Sequence, residues 1–391
     1  MIGRRVAVTG LGVVAPCGTG KEAFWSGLLG TPADGERRIP DFDPSTWFGP
    51  KEARRTDRFA QLAVAAASLA LEDAGPLDVD LDRAGVLIAT GVGGLHTLED
   101  QIVLRHEKGA KRVSPFLVPM MMPNAGAASV SMRFGWRGPC ETTVTACAAS
   151  THAIANAARL IATGTCDAVM TGGSEAAITP SGVAGFTNMT ALSGSGRSRP
   201  YDVERDGFVI AEGAAVLVLE EWEAALARGA RIYGEVLGGA STADAHHITA
   251  PSPDGSGAVR AIEQALADAG LAPGDIRQIN GHGTSTPLND AAEAEAIAKV
   301  FGSPGPPVTS TKGVTGHALG AAGAIEAAAV LLSMAHELIP PTAGLEHLDP
   351  AITIDVVSGE PRPWEPGPAL SNSFGFGGHN GCLVLGPGKA S

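Results

Sequence analysis

Four stretches of the 391-residue chain carry side chains suited to covalent and proton-transfer chemistry. The first is Thr143-Val-Thr-Ala-Cys147-Ala-Ala-Ser-Thr-His152. A β-prone run ends at Cys147 and an Ala-rich helical run begins there. A thiol at a helix N-terminus faces unpaired N–H groups and the positive end of the helix dipole, which lowers its pKa and favours the thiolate. Small neighbours leave room for a substrate to reach the sulfur. The second is Asn280-Gly-His282-Gly-Thr284-Ser-Thr286-Pro-Leu-Asn-Asp290. A strand end delivers an imidazole between two glycines, into a turn whose hydroxyls can hold a polar substrate arm. The third, Ser310-Thr-Lys312-Gly-Val-Thr-Gly316-His317, opens a long apolar helix that carries Glu326. A carboxylate on an apolar face needs a partner, and Lys312 or a histidine is the natural one. The fourth, Asn372-Ser-Phe374-Gly-Phe376-Gly-Gly378-His379-Asn380, interleaves Phe that can seal an apolar chamber with Gly that permits movement. Taken singly, each stretch also fits an ordinary structural turn. One elbow cysteine with two histidine turns, however, is a nucleophile-and-imidazole set.

Three other patterns fall short. Gly10-Leu-Gly12-Val-Val-Ala15 follows a strand and fits the dinucleotide pattern G-x-G-x-x-A. Pro16 and Gly18 follow it, and helix signals begin only at Lys21, whereas the fingerprint requires the helix at once. A nicotinamide oxidoreductase is therefore disfavoured. Asp244, His246 and His247 lack a third His or Cys cluster at ligand spacing, so they read as a loop and no metal site is expected. Gly172-Gly-Ser174-Glu-Ala176 ends a strand without a full G-x-S-x-G match.

The elements that must position these groups follow from hydrophobic periodicity. Helical spacing covers 58–74, 148–162, 257–269, 290–300 and 319–336. Buried-strand runs cover 5–9, 86–90, 140–145, 168–172, 214–220, 232–237, 278–280, 352–356, 369–373 and 381–385. Strands alternating with helices predict an α/β protein with buried sheets. Each half runs a strand into a small-residue turn and then a helix, at 143–147 and again at 278–286. This layout predicts an internal duplication, with halves at 1–235 and 236–391.

Composition narrows the function classes. Apolar residues make up 44% and charged residues 18%, enough for a sizeable core and against global disorder. The net charge of −13 disfavours a bulk binder of nucleic acid or anionic membrane, although a local basic patch stays open. With 52 Gly, 27 Pro and only 5% aromatics, the core must be built from small aliphatic residues and the backbone must pack closely. The five cysteines are scattered and form no CxxC, which fits a reducing, cytoplasmic setting. Thr9, Gly10 and Gly12 interrupt the apolar start, so it reads as a strand rather than a signal peptide. No segment reaches the ~18 uninterrupted apolar residues of a membrane helix.

As a set, these motifs resemble the condensing enzymes of the thiolase superfamily, above all the elongating β-ketoacyl-[acyl-carrier-protein] synthase II group. The resemblance spans nearly the whole chain: Val8-Thr-Gly-Leu-Gly12, the segment 91–94, Val113-Ser-Pro-Phe-Leu-Val-Pro, Asn124, the Cys147 elbow, Arg199-Pro-Tyr-Asp202, Arg205-Asp-Gly-Phe208, Ala211-Glu-Gly213 and both histidine motifs. It implies a thiolase-like, duplicated αβαβα five-layer fold, a two-fold homodimer and an acyl-carrier-protein partner. The substrates would be carried on phosphopantetheine, with no metal or redox cofactor. Cys147 would take the acyl chain, and His282 and His317 would bind the malonyl thioester and assist decarboxylation. Lys312 and Glu326 would order His317. The N–H groups of Cys147 and Phe376 would form an oxyanion hole. Phe376 would gate access together with Phe374 and the loop holding Asp244 and His247. Thr284 and Thr286 would meet the phosphopantetheine arm, and Met122 and Phe186 would line the acyl tunnel. Two histidines suit decarboxylation better than the Cys-His-Asn set of chain-initiating synthases. Cys382 lies outside the second-cysteine motif of thiolases. The alternative within the family is a type II polyketide ketosynthase paired with a chain-length factor.

The chain also departs from the family pattern. Gly281 replaces the more usual Ala before His282, the stretch 30–40 is shortened, and Thr190 stands where many relatives have a basic residue. Docking of an acidic carrier protein would then fall to local charges at Lys51, Arg54, Arg55, Arg58, Lys111 and Arg112.

Overall fold

Among the described residues, ten strands trace the main path of one continuous sheet, and they divide into two runs of five with the same internal order. The structure is a computed structural model that describes residues 3–253 and 255–388. The first run comprises β1 (Val6–Ala15), β2 (Ala84–Ala89), β3 (Cys140–Glu141), β4 (Ala168–Glu175) and β5 (Gly213–Glu221). The second comprises β6 (Gly234–Ala243), β7 (Gln278–Asn280), β8 (Val308–Thr309), β9 (Ala369–Gly375) and β10 (His379–Pro387). Their spatial order is β3-β2-β4-β5-β1 followed by β6-β10-β9-β7-β8. In each run the second strand pairs in parallel with the third and the fourth, and the fifth pairs antiparallel with the fourth and the first. The two runs meet where β1 pairs with β6 at Ala7↔Glu235 and Val8↔Gly234.

The helices complete five layers. Helices α1 (Arg58–Ala74) and α2 (Ala125–Phe134) cover the outer face of the first run. Helices α4 (Ser256–Ala269) and α5 (Pro287–Phe301) lie on the outer side of the second, with α4 against β6 and β10. Between the two runs of strands lie α3 (Ala149–Ala162) and α6 (Ala322–His336), which touch strands of both runs and each other. The apolar packing of this middle layer is mainly Ala, Val, Leu and Ile, and Ser150, Thr151, His152 and Glu326 are buried within it. Among the described residues one helical stretch, Leu319–His336, is long and apolar enough to cross a membrane. It is 89% buried inside the protein, as a core helix would be.

Helix α1 shows how local signals set the boundaries. Asp57 caps its N-terminus by accepting from Phe59 N at 3.1 Å, and Gly75, at φ 72°, ends it. The glycines of the discarded dinucleotide pattern face this helix. A Cβ at Gly10 would stand 2.2 Å from the Ala70 carbonyl, and one at Gly12 would stand 1.9 Å from that of Ala66. They let β1 and α1 approach closely, and the pattern has no turn, because β1 runs unbroken to Ala15.

Several spans differ from the sequence expectation. Only Cys140–Glu141 of the run 140–145 pairs as a strand, because the chain then bends into the nucleophile elbow. The run 352–356 forms no named strand and contributes an isolated bridge, Val308↔Val356. The helix expected at 319–336 opens with a 3-10 turn, Leu319–Ala321, before α6 starts. The helix Leu95–Lys108 and α2 escaped the periodicity reading: the first buries only Thr97, and the second is built from small residues.

Candidate active site

The end of the first sheet's parallel strands and the matching end of the second bring the three reactive stretches together. Cys147 sits on a tight elbow. Ala146 has φ 50°, and Ala148 N and Ala149 N donate back to the carbonyls of Thr145 and Ala146 at 3.2 and 3.1 Å. Helix α3 starts at Ala149, two residues beyond the thiol. His317 occupies the equivalent place in the second half, between β8 and α6. Its Nε2 lies 3.0 Å from Cys147 Sγ. The His282 ring stands edge-on to it, with centroids 5.3 Å apart. The sulfur and one nitrogen of each ring all lie within 4.8 Å of one another.

Burial sets the charges. The Cys147 thiol is pushed up to about 12 by burial, against the pull of the Lys312 charge and the Phe376 backbone N–H. The lowered thiol pKa expected from the helix terminus is therefore not found in the resting site, because loss of solvent outweighs the helix end. Burial holds both His282 and His317 well below the usual imidazole value, and the Lys312 charge adds to it. Both rings are neutral, so His317 Nε2 can accept the thiol proton.

Lys312 and Glu326 form a fully buried ion pair, and the lysine serves His282 rather than His317. Its Nζ donates to the His282 carbonyl at 2.6 Å and lies 3.4 Å from His282 Nδ1. An ammonium offers only donors, so Nδ1 presents its lone pair and the hydrogen sits on Nε2. His282 is thereby set as a hydrogen-bond donor. Burial raises the Glu326 carboxyl to about 7, with Lys312 opposing.

Two further carboxylates shape the site, and sequence reasoning missed both. Glu293 accepts from His282 N and Gly283 N at 2.7 Å each, from Tyr201 Oη at 3.0 Å and from Asn372 Nδ2 at 3.3 Å. The signal was an acidic pair, Asp290 and Glu293, on the same face of α5 as Ala294 and Ile297, all buried. Glu175 accepts from Gly91 N at 2.6 Å, Gly320 N at 3.0 Å and Thr90 Oγ1 at 3.1 Å. It ties the turn after β2 to the turn after His317.

A cavity of about 370 Å³ opens onto the sulfur. Thr284, Thr286, Asp244, Phe374 and Phe376 line it with the reactive groups, as does Thr190. The Thr284 and Thr286 hydroxyls are 2.9 Å apart, and Thr286 also caps α5. Asp244 accepts from Asn380 Nδ2 at 2.7 Å and donates its own N–H to Gly378 O at 2.9 Å, which joins the two loops expected to move together. The other sequence candidates sit off this wall. Exposed His247 accepts from Thr249 N and Ala250 N and stabilises its own loop. Phe186 packs edge-on against Phe208, which in turn abuts His317, so it belongs to the apolar cluster around Cys147. Met122 lines a separate groove with Phe116, Met120 and Met132. Of the basic residues, Lys51, Arg54, Arg55, Lys111 and Arg112 are exposed. Arg58 is not free to dock, because both its Nε and its Nη2 are committed to buried Glu212 at 2.7 Å.

Comparisons with known proteins agree with this arrangement. The model of the beta-ketoacyl synthase N-terminal domain matches residues 30–225, and that of the beta-ketoacyl synthase C-terminal domain matches residues 233–346. The chain is 47% identical to the 3-oxoacyl-[acyl-carrier-protein] synthase 2 of Synechocystis sp. and 43% identical to that of Rhizobium meliloti, over 98% of each chain in both cases. Among solved structures, the ishigamide ketosynthase/chain length factor superposes with a TM-score of 0.94 at 33% identity, covering 98% of this chain and 99% of that one. A beta-ketoacyl synthase from Burkholderia phymatum superposes at 0.92, also at 33% identity, covering 99% and 100%.

Proposed function

Because the chain belongs to the beta-ketoacyl synthase family, we propose that it performs the decarboxylative Claisen condensation of fatty-acid elongation. An acyl chain held on Cys147 joins malonyl-[acyl-carrier-protein] and gives 3-oxoacyl-[acyl-carrier-protein] and carbon dioxide. The observation that carries this reading is Cys147 Sγ at 3.0 Å from one neutral imidazole, with a second imidazole beside it in the same cavity.

In the first half-reaction His317 Nε2 takes the thiol proton and Sγ attacks the acyl thioester. The carbonyl oxygen gains charge at the Phe376 and Cys147 N–H groups. The phosphopantetheine thiol leaves with the proton from His317, which returns to neutrality. Acylation frees Nε2 of His317 from the sulfur. In the second half-reaction His282 Nε2–H donates to the malonyl thioester oxygen, and carbon dioxide departs from the malonyl group. The resulting enolate carbon attacks the acyl carbonyl, the new carbon–carbon bond forms, and Sγ leaves as thiolate and takes up a proton from solvent, the one proton that the overall reaction consumes. Neutral rings suit this step, because a hydrogen-bond donor steadies the enolate without a formal cation.

The reading needs no metal or redox cofactor, since the electron pairs stay with substrate and side chains, no external oxidant or reductant enters, and the one proton consumed comes from solvent. The five free cysteines fit a cytoplasmic setting. The partners are an acyl carrier protein and a second copy of the chain. β3 stands at the edge of the sheet and offers that copy a strand to pair with. The likeness to ketosynthase/chain length factor structures favours the second reading, a polyketide ketosynthase in a heterodimer.

The test is incubation with acyl- and malonyl-carrier protein, with products read by mass. Wild type should release 3-oxoacyl product one malonyl-derived unit longer, and Cys147→Ala should form none. Product from Cys147→Ala would overturn the mechanism. Native mass measurement of the pure protein decides between the homodimer and a requirement for a second chain.

A further inference from the structure

His152 stands in the first turn of α3, 5% exposed, and it does not line the cavity that holds Cys147. Its ring joins two segments that do. Nδ1 lies 2.8 Å from Thr145 Oγ1, two residues before the nucleophile, and Nε2 lies 3.1 Å from the Asn380 carbonyl. A carbonyl only accepts, so Nε2 carries the hydrogen, and the neutral ring receives the Thr145 hydroxyl at Nδ1. Burial holds His152 below its ordinary value, which keeps this arrangement neutral. One residue earlier, Thr151 Oγ1 lies 2.7 Å from Ser373 Oγ.

Ser373 and Asn380 are the residues that flank the segment 374–379. That segment contains Phe374 and Phe376, and its Gly377 and Gly378 have φ 84° and 71°. It lies directly on the nucleophile: a Cβ at Gly375 would stand 3.0 Å from Cys147 N and 3.1 Å from Thr145 O. Cys147 is left 7% exposed. The cavity that reaches the sulfur is walled here by Phe374, Gly375 and Phe376, so the position of this segment sets both the room for an acyl thioester and the place of the Phe376 N–H.

We propose that His152 is a positioning residue which, with Thr151, pins the two ends of the 374–379 flap to the helix that follows the nucleophile. The flap swings between fixed ends and closes back to one position. Asn380 carries the pin onward through its side chain to Asp244, whose carboxylate also receives Ser252 N at 3.1 Å. The role in turnover rests on the condensation reading above, whereas the pinning does not.

The test compares full-length wild type, H152L and H152Q. Glutamine supplies one acceptor and one donor, as the ring does; leucine supplies neither. The first readout is the rate of Cys147 alkylation by a bulky maleimide divided by that by iodoacetamide, a ratio that cancels the thiolate fraction. The ratio should rise several-fold in H152L and stay within about twofold of wild type in H152Q. The second is KM for malonyl-carrier protein, which should rise about tenfold in H152L, the worth of one buried hydrogen bond, with H152Q near wild type. An unchanged alkylation ratio in folded H152L, or an H152Q that behaves as H152L, overturns the proposal. If H152L does not fold, Thr145→Val removes the hydroxyl that holds Nδ1, and the same ratio decides in the same way. A wild-type protein that fails to condense would sink the functional reading while the alkylation ratio still judges the pin.

Discussion

At Cys147 the two textures of the site, helix end and dry pocket, compete, and dryness wins. The thiol rests protonated, and a neutral His317 waits at 3.0 Å to take the proton only when a thioester arrives. The side chains that the fold brings together, Cys147, His282, His317, Lys312 and Glu326, were legible as candidates because each is a polar residue in a small-residue turn or on an apolar helix. Glu293 left only the acidic pair on one face of α5 as a signal, and the roles of Glu175 and His152 left none, because they act on groups that only the fold brings near. Glu175 supports a prediction of its own. Burial raises its carboxyl to about 7, opposed by the Gly91, Gly320 and Thr90 donors. Between the unfolded value near 4.5 and the folded value near 7, the native state binds the extra proton. That stabilisation is complete below the lower value and is lost as pH rises through the upper one. Glu175→Gln mimics the protonated form: its oxygen can still accept from Gly91 and Gly320, and its amide can donate to Thr90. The stability of the variant relative to wild type should therefore grow by on the order of 3 kcal/mol from pH 5 to pH 8. Urea titrations at both pH values measure the gap, and a constant gap would mean that Glu175 does not titrate in that window.

At the scale of elements, strands and helices with strong periodicity were readable, and bends were not. Helix 58–74 was legible to the residue, because Asp57 and Gly75 mark both ends. The duplication was legible as a repeated strand–turn–helix layout, although the matching strand order needs long-range pairing that no local pattern records. The run 140–145 misled, because a β-prone composition continued through the elbow. The departure at Gly281 has a structural reason. A Cβ there would lie 2.1 Å from Tyr201 Oη, which is held by Glu293. A methyl group at 281 and the tyrosine hydroxyl are thus alternatives for one small volume. Gly281→Ala should destabilise the protein by about 1–3 kcal/mol through overpacking. Tyr201→Phe alone should cost about 1 kcal/mol for the lost buried hydrogen bond. In the double variant the clash is relieved, so its cost should be well below the sum of the two. Chemical denaturation of the four proteins gives the coupling; simple additivity would show that the backbone shifts to accommodate the methyl group.

For the whole molecule, the net charge of −13 is the feature least expected of a protein that meets an acidic carrier. Long-range repulsion is blunted, since charges beyond ~8 Å are largely screened at physiological ionic strength, so local groups decide docking. The structure sharpens which groups those are. Arg58 is spent internally on Glu212, and Thr190 brings no charge to the cavity mouth. Lys51, Arg54 and Arg55 remain exposed beside the groove, with the Arg55 guanidinium over the Phe116 ring at 4.3 Å, and Lys111 and Arg112 are also exposed. Reversing Arg54 and Arg55 to Glu should raise KM for malonyl-carrier protein about tenfold at low salt, with the effect shrinking as salt rises. Turnover of malonyl-N-acetylcysteamine, which has no carrier to dock, should be unchanged, because neither arginine lines the cavity that holds Cys147. Equal losses on both substrates would mean that the substitutions disturb the catalytic half rather than docking. No loss on either would move the carrier to another face, with Lys111 and Arg112 the next charges to reverse.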